Sequence, residues 1–118
     1  MTFIEPVTLQ LVSHALDAAS LRHQAVALNI ANANVTGARP ARVQFEQLLA
    51  DIPARLAGGG RVDAAEVPAA RLTIGSGDIS LDEEMTALSS NSLHYQALAR
   101  ALSRHLGIVS LAIQDGRR

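Results

Sequence analysis

From Leu81 to Ile113, apolar residues recur at alternating steps of four and three through Met85, Leu88, Tyr95, Ala99, Leu102, Leu106 and Val109, with Ser92 as the one polar member. The pattern lasts more than four heptads, and neither glycine nor proline interrupts it before Gly107. A 3.5-residue repeat sustained this far predicts one long helix carrying a seam for a partner helix. At 1.5 Å per residue that helix is roughly 50 Å long, the dimension of an assembled element more than of a small globule. Ser80 with Glu83 has the spacing of a capping box. Asp82, Glu83 and Glu84 put negative charge at the positive end of the helix dipole, and Arg117 and Arg118 lie near the other end.

The rest of the 118-residue chain offers only modest material for a self-contained core. Its aromatic residues are Phe3, Phe45 and Tyr95, so burial must come mainly from Ala, Leu and Val, and stabilisation by partners is expected. The absence of cysteine excludes disulfides and thiolate metal sites. The ten basic residues are all arginine and the net charge is −1, which argues against a nucleic-acid partner. No apolar stretch reaches the length of a membrane span. Met1-Thr2-Phe3-Ile4-Glu5 lacks the basic region that opens a cleaved secretory signal, so any passage out of the cytoplasm is expected to use another route.

A second helix is expected from about Pro6 to Asn32. Pro6 suits a first turn, and Asn32-Ala33-Asn34-Val35-Thr36-Gly37 supplies residues that tolerate the turn at a helix end. This segment carries two overlapping stripes. One is Leu9, Val12, Leu16, Ala19, Val26 and Ile30; the other is Leu11, Ala15, Ala18, Ala25 and Leu28. Two stripes imply two contact surfaces. Charge is sparse in both terminal segments: Asp17 and Arg22 are the charged residues between Pro6 and Ala38, and Arg100 and Arg104 those between Met85 and Gln114. Outer faces this poor in charge are suited to touching neighbours.

Between Arg39 and Ile79 the composition changes. Pro40, Pro53 and Pro68 with Gly58-Gly59-Gly60, Gly75 and Gly77 mark a flexible connector, with a short helix expected around Phe45 to Ile52 and a mobile stretch from Pro53 to Gly77. The resulting organisation is an N-terminal helix and turn over residues 1–38, a connector over 39–79 and a C-terminal helix over 80–118. The fold class is all-α, its two long helices pairing as a coiled coil.

Catalytic chemistry finds little support. On a helix His14 and His23 lie on opposite sides, whereas His94 and His105 share an azimuth about 16 Å apart, so neither pair chelates one ion. Gly58-Gly59-Gly60 lacks the Lys-Ser/Thr of a phosphate loop, and Gly75-Ser76-Gly77 lacks the later glycine of a dinucleotide turn. No enzyme activity, cofactor, metal or small-molecule substrate is expected.

The informative motif is Leu28-Asn29-Ile30-Ala31-Asn32-Ala33-Asn34-Val35-Thr36-Gly37, in which asparagines alternate with small apolar residues at a helix end. Asn29 and Asn32 share a face and are able to hydrogen-bond across a helical interface. The stretch resembles the N-terminal signature of the flagellar rod, hook and hook-associated axial proteins. Asp82-Glu83-Glu84-Met85, Asn91-Ser92-Leu93-His94-Tyr95-Gln96-Ala97-Leu98 and Leu102-Ser103-Arg104 resemble the matching C-terminal half. Short length, the Asn-Ser-Leu-x-Tyr-Gln run and the Arg-rich end are most similar to proximal rod members of that family. Two positions depart from it: Val35-Thr36 stands where the family has Thr-Pro, and Ala38 where it has an aromatic.

The resemblance implies a structural subunit packed helically around a channel, transmitting torque along a periplasm-spanning rod and lining the export conduit. It implies self-association, contact with other rod proteins and with the MS-ring and export-gate junction, and export unfolded through the flagellar type III apparatus without a cleaved signal. Phe3-Ile4-Glu5-Pro6-Val7 reads as a hydrophobic lead into the first helix, with an export-gate recognition segment as the alternative. The expected assembly interface comprises Leu9, Val12, Leu16, Asn29, Ile30, Asn32, Asn34, Gly37, Met85, Leu88, Tyr95, Leu102, Leu106, Val109 and Ile113. The competing reading is a soluble helical-hairpin adaptor or chaperone that holds one partner on the same seams.

Overall fold

The computed structural model describes residues 6–50 and 52–116. Phe3-Ile4-Glu5, Arg117 and Arg118 lie outside the described residues. Helix α1 spans Pro6–Ala31 and is followed by strand β1, Ala41–Gln44, a 3₁₀ turn at Glu46–Leu49 and the short helix α2, Ile52–Ala57. A second 3₁₀ turn at Ala64–Glu66 leads to strand β2, Arg71–Ile74, and then to helix α3, Leu81–Gly116. The architecture is broadly all-α, with the two long terminal helices packed together and a small sheet in the connector. No helix among the described residues is long and apolar enough to cross a membrane.

α1 stops where its sequence turns polar. The Asn32 N–H is shared between the carbonyls of Leu28 and Asn29, Ala33 bonds back to Ile30, and the chain reverses through Gly37 at φ +81°. A residue with a Cβ is disfavoured in that left-handed conformation. At the start of α3 the Ser80 carbonyl accepts the Glu84 N–H at 3.0 Å, and the Ser80 hydroxyl lies 3.5 Å from the Glu83 N–H, a long cap.

Asn91 of α3 reaches Ala19 of α1 while Glu84 reaches Asn29, so one helix descends as the other climbs and the pair is antiparallel. Extending that register, about the last three turns of α3 run past the described start of α1. The molecule is correspondingly long, 64 × 32 × 18 Å. Its radius of gyration of 18.0 Å compares with about 13.5 Å for a compact chain of this length.

The two α1 stripes differ in part in what they touch, although Leu28 of the second is exposed. Leu11, Ala15, Ala18 and Ala25 pack on the connector, against Ala41, Val43, Phe45, Leu49 and Ala70. Ala19, from the other stripe, meets Asn91 of α3. The connector departs from its compositional reading: β1 and β2 pair antiparallel with Ala41 opposite Ile74 and Gln44 opposite Arg71, so residues expected to be mobile form one side of a sheet. The short helix expected around Phe45 to Ile52 divides into the 3₁₀ turn and α2.

Candidate assembly surfaces

The seam of α3 that meets α1 is rotated from the purely apolar stripe. Glu84 and Asn91 are buried, and Ala87, Leu88, Leu98, Ala99 and Leu102 are half-buried. Leu81, Met85, Tyr95, Leu106 and Ile113 are exposed. Leu88, Leu102 and half-buried Val109 lie on the border of both stripes. The rotation has a physical cause: α1 presents small Ala19 where Asn91 bonds to its carbonyl, and Glu84 meets the polar side chains of Asn29 and Arg42, so polar groups of α3 are satisfied where large apolar ones would be expected. Hydrophobic periodicity does not register such positions.

Asn29 is the centre of the polar join. Its Oδ1 accepts the Ala41 N–H at 2.7 Å, and its Nδ2 donates to the Ala41 carbonyl at 2.9 Å and to Glu84 Oε2 at 3.1 Å. Glu84 Oε1 faces the Arg42 guanidinium at 2.7 Å. Asn29 and Glu84 are each 1% exposed, so α1, β1 and α3 are tied at one dry point where an unpaired group would be costly. Farther along the helix pair, Asn91 Nδ2 donates to the Ala19 carbonyl at 2.7 Å. No buried side-chain nitrogen or oxygen among the described residues lacks a partner.

Two further contacts hold the connector on α1. His14 donates from Nδ1 to the Pro68 carbonyl at 2.9 Å, leaving Nε2 to accept from Gln10 at 2.6 Å. Arg22 binds Glu46 through both oxygens, one at 2.7 Å, and donates to the Val43 carbonyl at 3.2 Å. The Arg22 hydrogen bond holds the Glu46 carboxyl below its ordinary range, outweighing the opposing effect of partial burial. Among the described residues no cluster of three or more His, Asp or Glu has the arrangement to hold a metal ion.

Of the other residues expected at an assembly interface, Leu9, Asn34 and Gly37 are exposed and Val12, Leu16, Ile30 and Asn32 half-buried. Asn29 instead bonds within the chain. Arg42, Glu84 and Asn91 were not anticipated from sequence as parts of this join.

No protein-family model matches the chain. A curated protein does. The chain resembles the flagellar basal body rod protein FlgB of Bacillus subtilis. The two are 26% identical over an alignment 123 positions long, covering 93% of this chain and 95% of that protein. The similarity spans both terminal helices and the connector between them, and the two proteins are of nearly the same length.

Proposed function

We propose that this chain is a structural, non-catalytic subunit of the proximal rod of a bacterial flagellar basal body. The observation that carries this reading is the end-to-end similarity to the Bacillus subtilis rod protein. The helix pair supports it physically. Exposed Leu81, Met85, Tyr95, Leu106 and Ile113 lie on a stripe beside the intramolecular seam, so a neighbouring helix would have apolar side chains to bury at intervals along α3. About half of each side chain is already covered, so covering the rest contributes about 1 kcal/mol per residue. Contacts between different faces of successive copies are heterologous and continue as a helical array unless the rotation closes.

In this reading neighbouring copies and other rod proteins cover the stripe, and the base of the array meets the junction of the MS ring and export gate. The long axis of the helix pair carries torque. Weakly charged faces line the conduit through which type III export passes unfolded subunits, this one included, without a cleaved signal. The test is deletion of the gene in its own organism with electron cryotomography of the envelope. Basal bodies without rod or hook, restored by the intact gene, are the expected result. Normal rods and swimming cells would overturn the proposal and favour an adaptor, which should form a closed complex of fixed stoichiometry.

A further inference from the structure

The two outer edges of the connector sheet are treated differently. The Gly75 N–H donates to the Pro40 carbonyl at 2.7 Å. With the antiparallel register, this makes Arg42–Thr73 and Gln44–Arg71 the hydrogen-bonded pairs. The backbone groups of Ala41 and Val43 therefore point away from β2. α1 covers them: Asn29 takes both groups of Ala41, and Arg22 takes the Val43 carbonyl. By the same alternation the N–H and C=O groups of Leu72 and Ile74 point away from β1, and the sheet has no third strand among the described residues. Their side chains share the face of Ala41 and Val43, yet Leu72 is 50% and Ile74 66% exposed. An open edge with apolar side chains invites strand pairing.

We infer that the β2 edge pairs antiparallel with the β2 edge of a second copy, centred on Thr73, giving a four-stranded sheet and a two-fold dimer. The register is self-complementary. Leu72 of each copy opposes Ile74 of the other, and all four of their outward backbone groups meet partners. Arg71 opposes Gly75 of the second copy, so the two arginines do not confront each other. Four exposed apolar side chains come together on the face that already carries α1. The two β1 strands are then three strand spacings apart, about 14 Å. That leaves room for the two α1 helices side by side at about 8–10 Å. The patch is small against the roughly 1,600 Å² of a stable complex, so the dimer is weak and concentration-dependent. An isologous pair closes on itself, and its existence does not depend on the rod reading.

The chain has no cysteine, which makes the register directly testable by oxidation of single-cysteine variants of the full chain. At the centre of the pairing the two Thr73 Cα atoms stand about 4.5 Å apart, within disulfide range. Thr73→Cys should therefore give a cross-linked dimer rapidly and Arg71→Cys should not. Sedimentation velocity should show concentration-dependent dimerisation of the unaltered chain, weakened about tenfold or more by Ile74→Lys, with an unchanged circular dichroism spectrum. Monomer at every concentration, or equal cross-linking of the two cysteine variants, would overturn the proposal. So would a dimer that resists Ile74→Lys but is lost with Leu106→Asp, which would place the second copy on α3.

Discussion

Asn29 pairs with Ala41 as a neighbouring strand would, accepting from its N–H at 2.7 Å and donating to its carbonyl at 2.9 Å. One side chain near the end of α1 thus terminates one edge of the sheet. The same amide holds Glu84, so truncation strands several buried polar atoms together. Asn29→Ala should cost about 3 kcal/mol, given about 1–3 kcal/mol for each buried group left unpaired. Urea denaturation of the purified chain measures this. A loss under about 1 kcal/mol would mean that water replaces the amide without cost.

The ion pair beside it should respond asymmetrically. Arg42 is 45% exposed on its side chain while Glu84 is 1%. Removing the arginine leaves a carboxylate in the dry join, whereas removing the carboxylate leaves a cation already in contact with solvent. Arg42→Met should cost about 3–5 kcal/mol and Glu84→Gln about 1–2 kcal/mol. The double variant should fall near Glu84→Gln, because the stranded charge is gone. Equal effects of the two single substitutions would contradict the geometry.

Much of this architecture is legible in the sequence, though not the join itself. Periodicity finds both long helices, and the two stripes of α1 correspond to real differences in contact: Ala18 and Ala25 lie in the core with the connector, and Ala19 lies against α3. Glu84 and Asn91 escape because polar residues read as solvent-facing; only their bonds to distant backbone and side chains explain their burial. The strands had a weaker signal. Ala41 and Val43, and Leu72 and Ile74, alternate with polar residues at period two beside Pro40 and Gly75. Four-residue runs in a glycine- and proline-containing stretch are nevertheless easily read as loop, and it is the apolar stripe of α1 that gives β1 a surface on which to form.

Glu46 provides a pH dependence whose sign is fixed. Its folded pKa is lowered by Arg22, so its contribution to stability is present above the ordinary glutamate value of about 4.3 and is lost as pH falls through the lower folded value. Thermal unfolding should show Glu46→Gln less stable than the unaltered chain near neutrality, with the gap narrowing as pH falls below about 4. The effect is small because the pair is largely solvated. A gap that widened on acidification would contradict the assigned direction.

The exposed and bordering positions of α3 separate folding from assembly. Leu106 is 52% exposed and lies on the outer stripe, whereas Leu102 is half-buried on the border with the α1 seam. Leu106→Asp should therefore leave monomer stability within about 0.5 kcal/mol, while Leu102→Asp also destabilises the helix pair by placing a charge where the helices meet. If neighbouring rod subunits cover the outer stripe, both substitutions abolish rod assembly and swimming, but only Leu102→Asp shifts the unfolding transition of the isolated chain. Denaturation of the two purified variants, with complementation of the deletion strain, distinguishes these effects. A Leu106→Asp strain that swims normally would remove this stripe from the assembly interface and leave the intramolecular helix pair intact.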